Sequence, residues 1–300
     1  MSKLREIINS IFSFFGLKLV FLSDYNLIKK QINFGNEQID FIKNSIERID
    51  NEFATLEDYK KELLESKTKL RPMEDISNSE IHPEYILALK SILGDRDLTI
   101  FDIGAHKGET LKTFNECFLN SQIYSFEPFK GAFQFLAKES EKIPNSKAFN
   151  IGFSDFNGKK EFYNYVDPSN PNISALNSLF NLKDEKFIPT VTKKEVVECE
   201  FQTLDNFTEK NKIEYIDLLK IDVQGAEYQV FQGGAKLLKD KRINTIFMEV
   251  MIVEFYENQK DFIFYLSYFK QQGYELKGIY NLISDSSNQT LYFDAVFSAN

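Results

Sequence analysis

Apolar residues along this chain follow three successive patterns. Between residues 7 and 22 they form a mostly apolar run, which Asn9, Ser10, Ser13 and Lys18 interrupt. Between 32 and 70 they recur every three or four positions, and from residue 98 onward short apolar runs alternate with amphipathic stretches. The third pattern is typical of strands that alternate with helices. We therefore predict an α-helical N-terminal extension over residues 1–80 and an α/β domain over residues 81–300.

The first apolar segment, residues 4–22, is shorter than the roughly twenty residues that a membrane-spanning helix needs. Residues 1–30 carry five basic and two acidic side chains, although the whole chain has a net charge of −9. Basic amphipathic segments bind anionic membrane surfaces. We expect peripheral contact with a membrane, or docking on a membrane-bound partner. Packing of this helix against the main domain is the alternative.

Residues 32–70 follow a heptad pattern. The a and d positions hold Ile39, Ile42, Ile46, Ile49, Phe53, Leu56 and Leu63, with Lys60 as the polar exception. No Gly or Pro occurs between Asn36 and Arg71, so the segment can form one long helix. An apolar seam of this kind has to be buried. We predict self-association through a coiled coil, and hence a homo-oligomer; packing along the same chain is the alternative.

The α/β region opens with an apolar strand over residues 98–103 that stops at Gly104. Gly108 closes the loop that follows, and an amphipathic helix begins after it. Strand, glycine loop and helix form the first half of a βαβ unit, whose loop brings backbone N–H groups close to a ligand. The two glycines are not spaced as G-x-G-x-x-G, so the dinucleotide-binding fingerprint is absent.

Further strands are predicted at residues 121–128, 148–152, 215–222, 245–249, 274–280 and 291–298. Helices are expected over 129–138 and 262–272, together with a single helix that contains Val230 and Leu238. Asn157-Gly158 is a turn pair that predicts a hairpin with residues 161–166. Another strand is expected at 196–201. Alternating strands and helices predict a mainly parallel, seven-stranded sheet with helices on both faces.

Carboxylates stand at the ends of four predicted strands, namely Asp102, Glu127, Asp222 and Glu249. Ligands of parallel α/β sheets bind at the carboxyl ends of the strands. Glu127 lies nineteen positions after Gly108, close to the roughly twenty at which a nucleotide-binding βαβ unit places its ribose-binding carboxylate. A carboxylate suits that position because it accepts hydrogen bonds from both ribose hydroxyls.

Few glycines and many carboxylates suit a nucleoside that lacks a pyrophosphate and carries a charged amino-acid tail. S-adenosylmethionine is such a ligand. We expect Asp102 to hold its ammonium group directly or through water, the 104–108 loop to contact its carboxylate, and Glu127 to bind its ribose. Ser154 and Asp155, after the third strand, are expected to border the same pocket.

At these residues the chain resembles the FkbM family of S-adenosylmethionine-dependent methyltransferases. The resemblance rests on residues 102–108, 127–128, 152–155, 203–205 and 216–227, in that order. It implies a Rossmann-like methyltransferase fold and methyl transfer to oxygen, often a sugar hydroxyl. Gln224 stands where the family frequently has Glu. The expected cofactor-binding residues are Asp102, Gly104, Ala105, Gly108, Thr110, Glu127, Pro128, Phe129, Ser154, Asp155 and Asp222.

A sugar hydroxyl is a poor nucleophile near neutral pH, so it needs positioning and a base or a metal ion. Asp222 and Glu249 are the candidate catalytic carboxylates, acting singly or through a shared Mg²⁺. A solvated role is the alternative for Glu249. His106 is a candidate substrate contact, with shaping of the loop as its alternative. The irregular stretch 167–189 is expected to form a lid that selects the acceptor.

Charge and cysteine content narrow the classes of function. A net charge of −9 argues against a nucleic-acid surface. Cys117 and Cys199 stand far apart, so the sequence predicts no zinc site and fits a reducing cytoplasm. We predict an O-methyltransferase acting on a sugar of a glycan, surface polysaccharide or glycosylated small molecule. The alternatives are a methyltransferase with a non-sugar acceptor, or a non-catalytic coiled-coil assembly protein with a degenerate methyltransferase domain.

Overall fold

The computed structural model describes residues 83–166, 176–183, 193–286 and 288–299. The predicted N-terminal extension, with its 4–22 segment and its coiled coil over 32–70, lies outside these residues. The division of the chain near residue 80 therefore stays a prediction, as do membrane contact and self-association. Among the helices in the described ranges, none combines the length and the apolar character that crossing a bilayer requires.

Ten strands occur in the described residues. They are β1 (Thr99–Ile103), β2 (Gln122–Phe126), β3 (Ser146–Phe149), β4 (Gly152–Phe153), β5 (Gly158–Val166), β6 (Lys193–Gln202), β7 (Ile216–Ile221), β8 (Ile243–Met251), β9 (Tyr274–Ser284) and β10 (Thr290–Ala299). Seven of them form the main sheet in the order β3-β2-β1-β7-β8-β10-β9. The five from β3 to β8 are parallel, and β10 runs antiparallel to both of its neighbours. The predicted mainly parallel, seven-stranded sheet is confirmed.

Register brings the carboxyl ends of the central strands to one edge. Ile103 pairs with Phe126 on one side and with Ile221 on the other, so the loops after β1, β2 and β7 begin at the same level of the sheet. Ile221 in turn pairs with Met248 of β8, and Glu249 is the next residue. The acidic residues predicted at strand ends therefore lie along one edge.

Seven helices occupy the described chain: α1 (Glu84–Leu93), α2 (Glu109–Cys117), α3 (Lys130–Ser140), α4 (Leu204–Lys210), α5 (Glu227–Gly233), α6 (Ala235–Lys239) and α7 (Phe262–Gln271). Two apolar cores lie on opposite faces of the sheet. Phe101 and Leu219 belong to one, while their neighbours Ile100 and Leu218 belong to the other. Successive strand residues point to opposite faces, so helices cover both. This explains why β7 is buried along its whole length.

The predicted hairpin at Asn157-Gly158 is wrong. β5 pairs antiparallel with β6, and β4 pairs parallel with β6, so β6 lies between the two strands that the turn connects. The Asn157 side chain accepts hydrogen bonds from the backbone N–H of Thr203 and from the side chain of Asn206. Contacts with the start of α4 therefore hold this turn.

Two further boundaries differ from the prediction. The strand expected at 148–152 divides into β3 and β4, and between them the Asn150 amide donates to the backbone oxygens of Glu127 and Pro128. The single helix expected around Val230 and Leu238 is two helices, α5 and α6, that meet at Gly234. Just before this break, Gly233 packs so closely on the Ser154 carbonyl that a Cβ atom would lie 2.1 Å from its oxygen.

Candidate active site

A cavity of about 510 Å³ opens at the carboxyl ends of β1, β2, β7 and β8, within the roughly 300–1,000 Å³ typical of small-molecule sites. Of the residues predicted from the sequence, those that line it are Gly104, Ala105, His106, Thr110, Glu127, Pro128, Asp222 and Glu249. The cavity therefore brings together the glycine loop, the carboxylate after β2 and both candidate catalytic carboxylates.

Five predicted residues lie outside the lining. Asp102 is fully buried within the sheet. Gly108 precedes the first residue of α2, and Phe129 precedes the first residue of α3. Ser154 is buried and donates a hydrogen bond to the Asp155 carboxylate, which is exposed. None of these five residues lines the cavity, so their role in cofactor binding stays a prediction.

The glycine loop is pressed against the end of β7. The backbone N–H groups of Gly104 and Ala105 both donate to the Phe126 carbonyl at 3.0 Å. Gly104 has φ +78°, and a Cβ atom there would lie 1.8 Å from the Asp222 carbonyl oxygen. Only glycine has both the conformation and the space that this position requires. The loop thus lies so close to the end of β7 that no side chain fits between the two backbones at Gly104.

Glu127 is held by two backbone donors. One carboxyl oxygen accepts from the N–H of His106 at 3.0 Å, and the other accepts from the N–H of Phe129 at 2.9 Å. Burial raises the pKa of Glu127 to about 8, although both N–H groups favour the ionised form. Each oxygen retains acceptor capacity beyond its one backbone donor. The side chain can therefore receive hydroxyl donors from a ligand in the cavity.

Lys220 lines the cavity but is not among the site residues predicted from the sequence. Its Nζ lies 3.3 Å from Oδ1 of Asp102 and 3.6 Å from Oδ2 of Asp222, and it donates to the Gly104 carbonyl at 3.2 Å. Burial lowers the pKa of this lysine, but the two carboxylates outweigh burial and raise it. The available signal was a lysine within a mostly apolar, buried strand, because such a residue needs a buried partner.

The acidic end of the cavity is organised by Gln224. Its side-chain nitrogen donates to Oδ1 of Asp222 at 2.8 Å and to Oε2 of Glu249 at 3.1 Å. Its side-chain oxygen accepts from the Tyr256 hydroxyl at 3.1 Å. Burial and the nearby Asp222 carboxylate raise the pKa of Glu249 to about 9. Glu249 therefore holds a proton near neutral pH.

Residues 176–183 cover part of the cavity and contribute Leu176, Asn177 and Leu179 to its lining. Ser178 donates to the Gln224 carbonyl at 2.6 Å, and the Tyr256 hydroxyl shares its one hydrogen between the Leu176 carbonyl, at 2.9 Å, and the Gln224 side-chain oxygen. This is the described part of the predicted lid. Its contacts place it against the acidic end of the cavity, whereas acceptor selection by the whole 167–189 stretch stays a prediction.

The donor set does not support a shared Mg²⁺. Within the described ranges, no three His, Cys, Asp or Glu side chains are placed to hold a metal ion together. The position between Asp222 and Glu249, where a bridging ion would bind, is taken by the Gln224 amide. An amide N–H₂ group donates hydrogen bonds and cannot ligate a cation through its hydrogens.

Comparison with known families identifies the class of protein. The model of the family described as the methyltransferase FkbM domain matches residues 102–276. The chain belongs to the FkbM methyltransferase family. The matched range begins at the end of β1 and includes the glycine loop, Glu127, Asp222 and Glu249, so it covers the cavity residues predicted from the sequence.

The individual relatives share low sequence identity with this chain. The curated 2-O-methyltransferase NoeI of Sinorhizobium fredii is 28% identical over 195 residues, which cover 61% of this chain and 74% of NoeI. The structure of a methyltransferase FkbM from Methylobacillus flagellatus is 11% identical with a TM-score of 0.43; the match covers 67% of this chain and 43% of that one. This chain thus spans less than half of that protein. Aeropyrum pernix fibrillarin, solved with S-adenosyl-L-methionine, is 13% identical with a TM-score of 0.38, covering 70% and 73% of the two chains.

Proposed function

We propose that this FkbM-family methyltransferase transfers a methyl group from S-adenosylmethionine to a sugar hydroxyl of a glycan, surface polysaccharide or glycosylated small molecule. One observation carries the proposal: a single cavity is lined by the glycine loop with Glu127 and by Asp222 with Glu249. β2 and β8 are separated by β1 and β7, so the strand positions of Glu127 and Glu249 lie about 14 Å apart across the sheet edge. That span accommodates a nucleoside with an amino-acid tail and an acceptor hydroxyl beyond it.

The cavity residues fit this cofactor. Glu127 presents two carboxyl oxygens with unused acceptor capacity, which suits the two ribose hydroxyls. Gly104 and Ala105 of the loop line the cavity and carry little or no side chain, so a ligand can approach their backbone closely. Gly152 and Phe153 of β4 line the same cavity with Phe162 and Phe201, and these apolar groups suit a base. We do not propose Asp102 as the direct ligand of the cofactor's ammonium group, because its carboxyl group is fully buried and paired with Lys220.

When bound, the cofactor supplies an electrophilic methyl group for in-line displacement. The chain's own contribution is to place the acceptor and to accept its proton. Asp222 is the proposed base, because its carboxylate lines the cavity, is 34% exposed and faces the acidic end. Glu249, which holds a proton near neutral pH, is proposed to bind the acceptor hydroxyl as a hydrogen-bond donor. His106 stays a candidate acceptor contact, and burial lowers its pKa, so it is uncharged near neutral pH.

The surroundings of Glu249 favour an uncharged sugar. Met251, Phe255, Leu291 and Tyr292 line the cavity near this carboxyl, and aromatic side chains pack well on the C–H faces of sugar rings. Lys220 is the one Lys or Arg among the lining residues, and its charge is already paired with Asp102 and Asp222. A phosphate or uronate beside the reacting hydroxyl would face two carboxyl groups, with no unpaired Lys or Arg among the lining residues that the structure describes. The name of NoeI as a 2-O-methyltransferase supports an oxygen acceptor.

The direct test uses labelled S-adenosylmethionine with neutral glycosides, lipid-linked glycans, nucleotide sugars and polysaccharide extracts. We expect label in a neutral sugar as an alkali-stable methyl ether. Binding of the cofactor without transfer to any carbohydrate, or transfer to nitrogen, would contradict the proposed acceptor. Absence of cofactor binding at high micromolar concentration would contradict the methyltransferase assignment itself.

We also propose a cytoplasmic homo-oligomer that contacts the inner face of a membrane peripherally. The heptad pattern over 32–70 and the basic apolar segment 4–22 support this. In the full chain, Ile42→Asp with Ile49→Asp is expected to lower the mass measured in solution. Phe14→Asp with Phe15→Asp is expected to reduce sedimentation with anionic vesicles. An unchanged result in either experiment rejects the corresponding role.

A further inference from the structure

Gln224 occupies an unusual backbone position at the edge of the cavity. It follows β7 by three residues and has φ +56°, and the next residue, Gly225, has φ +91°. Left-handed backbone at a residue other than glycine costs free energy and persists only where the surroundings hold it. The sharp turn directs the Gln224 side chain back over the strand ends, between Asp222 and Glu249.

The two carboxyl groups on either side of this amide come from neighbouring strands. One oxygen of each lies within hydrogen-bond distance of the same nitrogen atom, at 2.8 Å and 3.1 Å. Carboxylates that share a site repel one another when both are ionised. Proteins relieve such repulsion with a proton, a basic side chain or a metal ion between the oxygens. Here Glu249 retains a proton near neutral pH, and the group between the two oxygens, where a basic side chain or a metal ion would otherwise lie, is an uncharged amide with two N–H donors.

Other residues fix the orientation of the amide. Its oxygen accepts from the Tyr256 hydroxyl, and the Gln224 carbonyl accepts from Ser178. Gly225 packs on the Tyr256 side chain so closely that a Cβ atom would lie 2.9 Å from it. With the oxygen engaged on one side, the N–H₂ group points to the carboxyl groups on the other. The covering segment 176–183 and the two carboxyl groups thus meet at one side chain.

Lys220 cannot take over this role. Its Nζ is 3.6 Å from the Oδ2 atom of Asp222, but it is closer to Asp102 and also donates to the Gly104 carbonyl. The lysine approaches Asp222 from the side of β1, whereas Glu249 belongs to β8 on the opposite side of β7. Gln224 is the residue in hydrogen-bond contact with both carboxyl groups.

We propose that the side-chain amide of Gln224 takes the place of a cation between Asp222 and Glu249 and holds both carboxyl groups toward the acceptor. Gln224 is a positioning residue in this account, because it acts through two other side chains. Its part in placing the acceptor rests on the proposed function. The claim that the Gln224 amide occupies the position of a cation is independent of the proposed function, so it can be tested without any acceptor.

The test replaces the amide by a carboxylate of the same shape. Gln224→Glu brings three carboxylates together, a donor set that suits Mn²⁺. Titration of the full chain with Mn²⁺, followed by electron paramagnetic resonance, is expected to show no site in the wild type and one site in Gln224→Glu. The site should disappear in Gln224→Glu with Glu249→Gln. Gln232→Glu, which adds the same charge on an exposed position of α5, should behave as the wild type.

Two results would overturn the proposal. One is a Mn²⁺ site in the wild type that is lost in Asp222→Asn, because the cation position would then be open. The other is a folded Gln224→Glu protein, as judged by circular dichroism, that binds no Mn²⁺. These readouts do not depend on methyl transfer, so they separate this proposal from the proposed function.

A second variant covers the case in which Gln224→Glu does not fold. Gln224→Met keeps the length of the side chain but removes both donors. We expect kcat to fall about 10-fold to 100-fold, as for other losses of positioning, while the Kd for S-adenosylmethionine changes little. An unchanged kcat would show that the bridge does not position the catalytic carboxyl groups.

Discussion

Nζ of Lys220 lies 3.3 Å from Oδ1 of Asp102, and the two residues are paired neighbours on β7 and β1. Asp102 is 0% exposed and Lys220 is 7% exposed, so both charges are withdrawn from water. The same ammonium group reaches Asp222 and the Gly104 carbonyl. One buried lysine therefore links the sheet, the glycine loop and the proposed catalytic carboxylate.

Removing this cation is expected to destabilise the protein strongly. Lys220→Met leaves the Asp102 carboxyl buried without its partner, which costs about 3–5 kcal/mol of unfolding free energy. Urea unfolding measures the loss. Adding Asp102→Asn removes the unpaired charge and should restore part of the stability. Lys212→Met, at an exposed position, is the control. If Lys220→Met unfolds at the wild-type urea concentration, the ion pair contributes nothing.

Substitutions at two glycines distinguish the cost of an unfavourable backbone conformation from the cost of a close contact. Gly94 and Gly104 have similar φ angles, +73° and +78°, but a Cβ atom at Gly94 meets nothing within 4 Å, whereas one at Gly104 meets the Asp222 carbonyl oxygen at 1.8 Å. Gly94→Ala is expected to cost about 1–2 kcal/mol of unfolding free energy. Gly104→Ala should cost at least about 2 kcal/mol more and should also abolish cofactor binding. Equal losses in the two variants would show that the close approach does not matter.

The stability of the ligand-free protein should fall as the pH rises. Burial raises the pKa of Glu249 from 4.5 to about 9, so the folded state retains a proton that the unfolded state releases above about pH 4.5. The contribution of Glu249 to stability is full below that pH and is lost progressively up to about pH 9, and Glu127, whose pKa burial raises to about 8, adds to the loss up to about pH 8. Glu227, whose pKa burial raises to about 7, contributes only to the lower part of this range.

The pH dependence can be assigned by comparing two variants. Between about pH 7 and pH 9, Glu249→Gln should lose less thermal stability than the wild type. Glu227→Gln should follow the wild type in that upper range, because its native pKa lies below it. Melting temperatures by differential scanning fluorimetry suffice. Parallel curves for wild type and Glu249→Gln would show that this carboxyl group is not a proton-retaining group in the fold.

Substitutions of Glu127 test its proposed role in binding the ribose of the cofactor. Glu127→Ala should abolish measurable binding of S-adenosylmethionine, whereas Glu127→Gln should weaken it about 2-fold to 10-fold, since the amide keeps one acceptor oxygen and a hydrogen bond contributes about 0.5–1.5 kcal/mol. Isothermal titration calorimetry gives both values. The exposed Glu161→Ala on β5 serves as the control. Wild-type affinity in Glu127→Ala would refute the ribose-binding role.

The sheet was predictable because its signals are local. The runs at residues 98–103 and 215–222 are mostly apolar and are followed by glycine or end at a carboxylate, which is typical of a parallel strand and its ligand-binding end. The same logic located Glu127, Asp222 and Glu249 around one cavity. The small sheet was not predictable, because β6 inserts between β4 and β5 from forty residues later in the chain, and the turn at Asn157 contains no information about that strand.

Site residues away from the strand ends were harder to find. Lys220 carried a signal, a charge in a buried strand, but its partner could only be named once β1 and β7 were known to be neighbours. Tyr256 and Ser178 carried none, because their hydroxyl groups acquire a role only through contacts with Gln224. Ser154 and Asp155 were expected at the cavity from their place after the third strand, yet the chain turns there into β5 and they lie outside the lining.

The central claim is methyl transfer to a sugar hydroxyl in the cavity that Asp222 and Glu249 share. The most direct measurement is transfer of a labelled methyl group from S-adenosylmethionine to a neutral-glycan panel by the wild type and by Asp222→Asn, with the products analysed as methyl ethers. The account predicts an O-methylated sugar with the wild type. It predicts a rate about 10²-fold to 10⁴-fold lower with Asp222→Asn at similar cofactor affinity. Equal rates for the two proteins, or label on nitrogen, would contradict it.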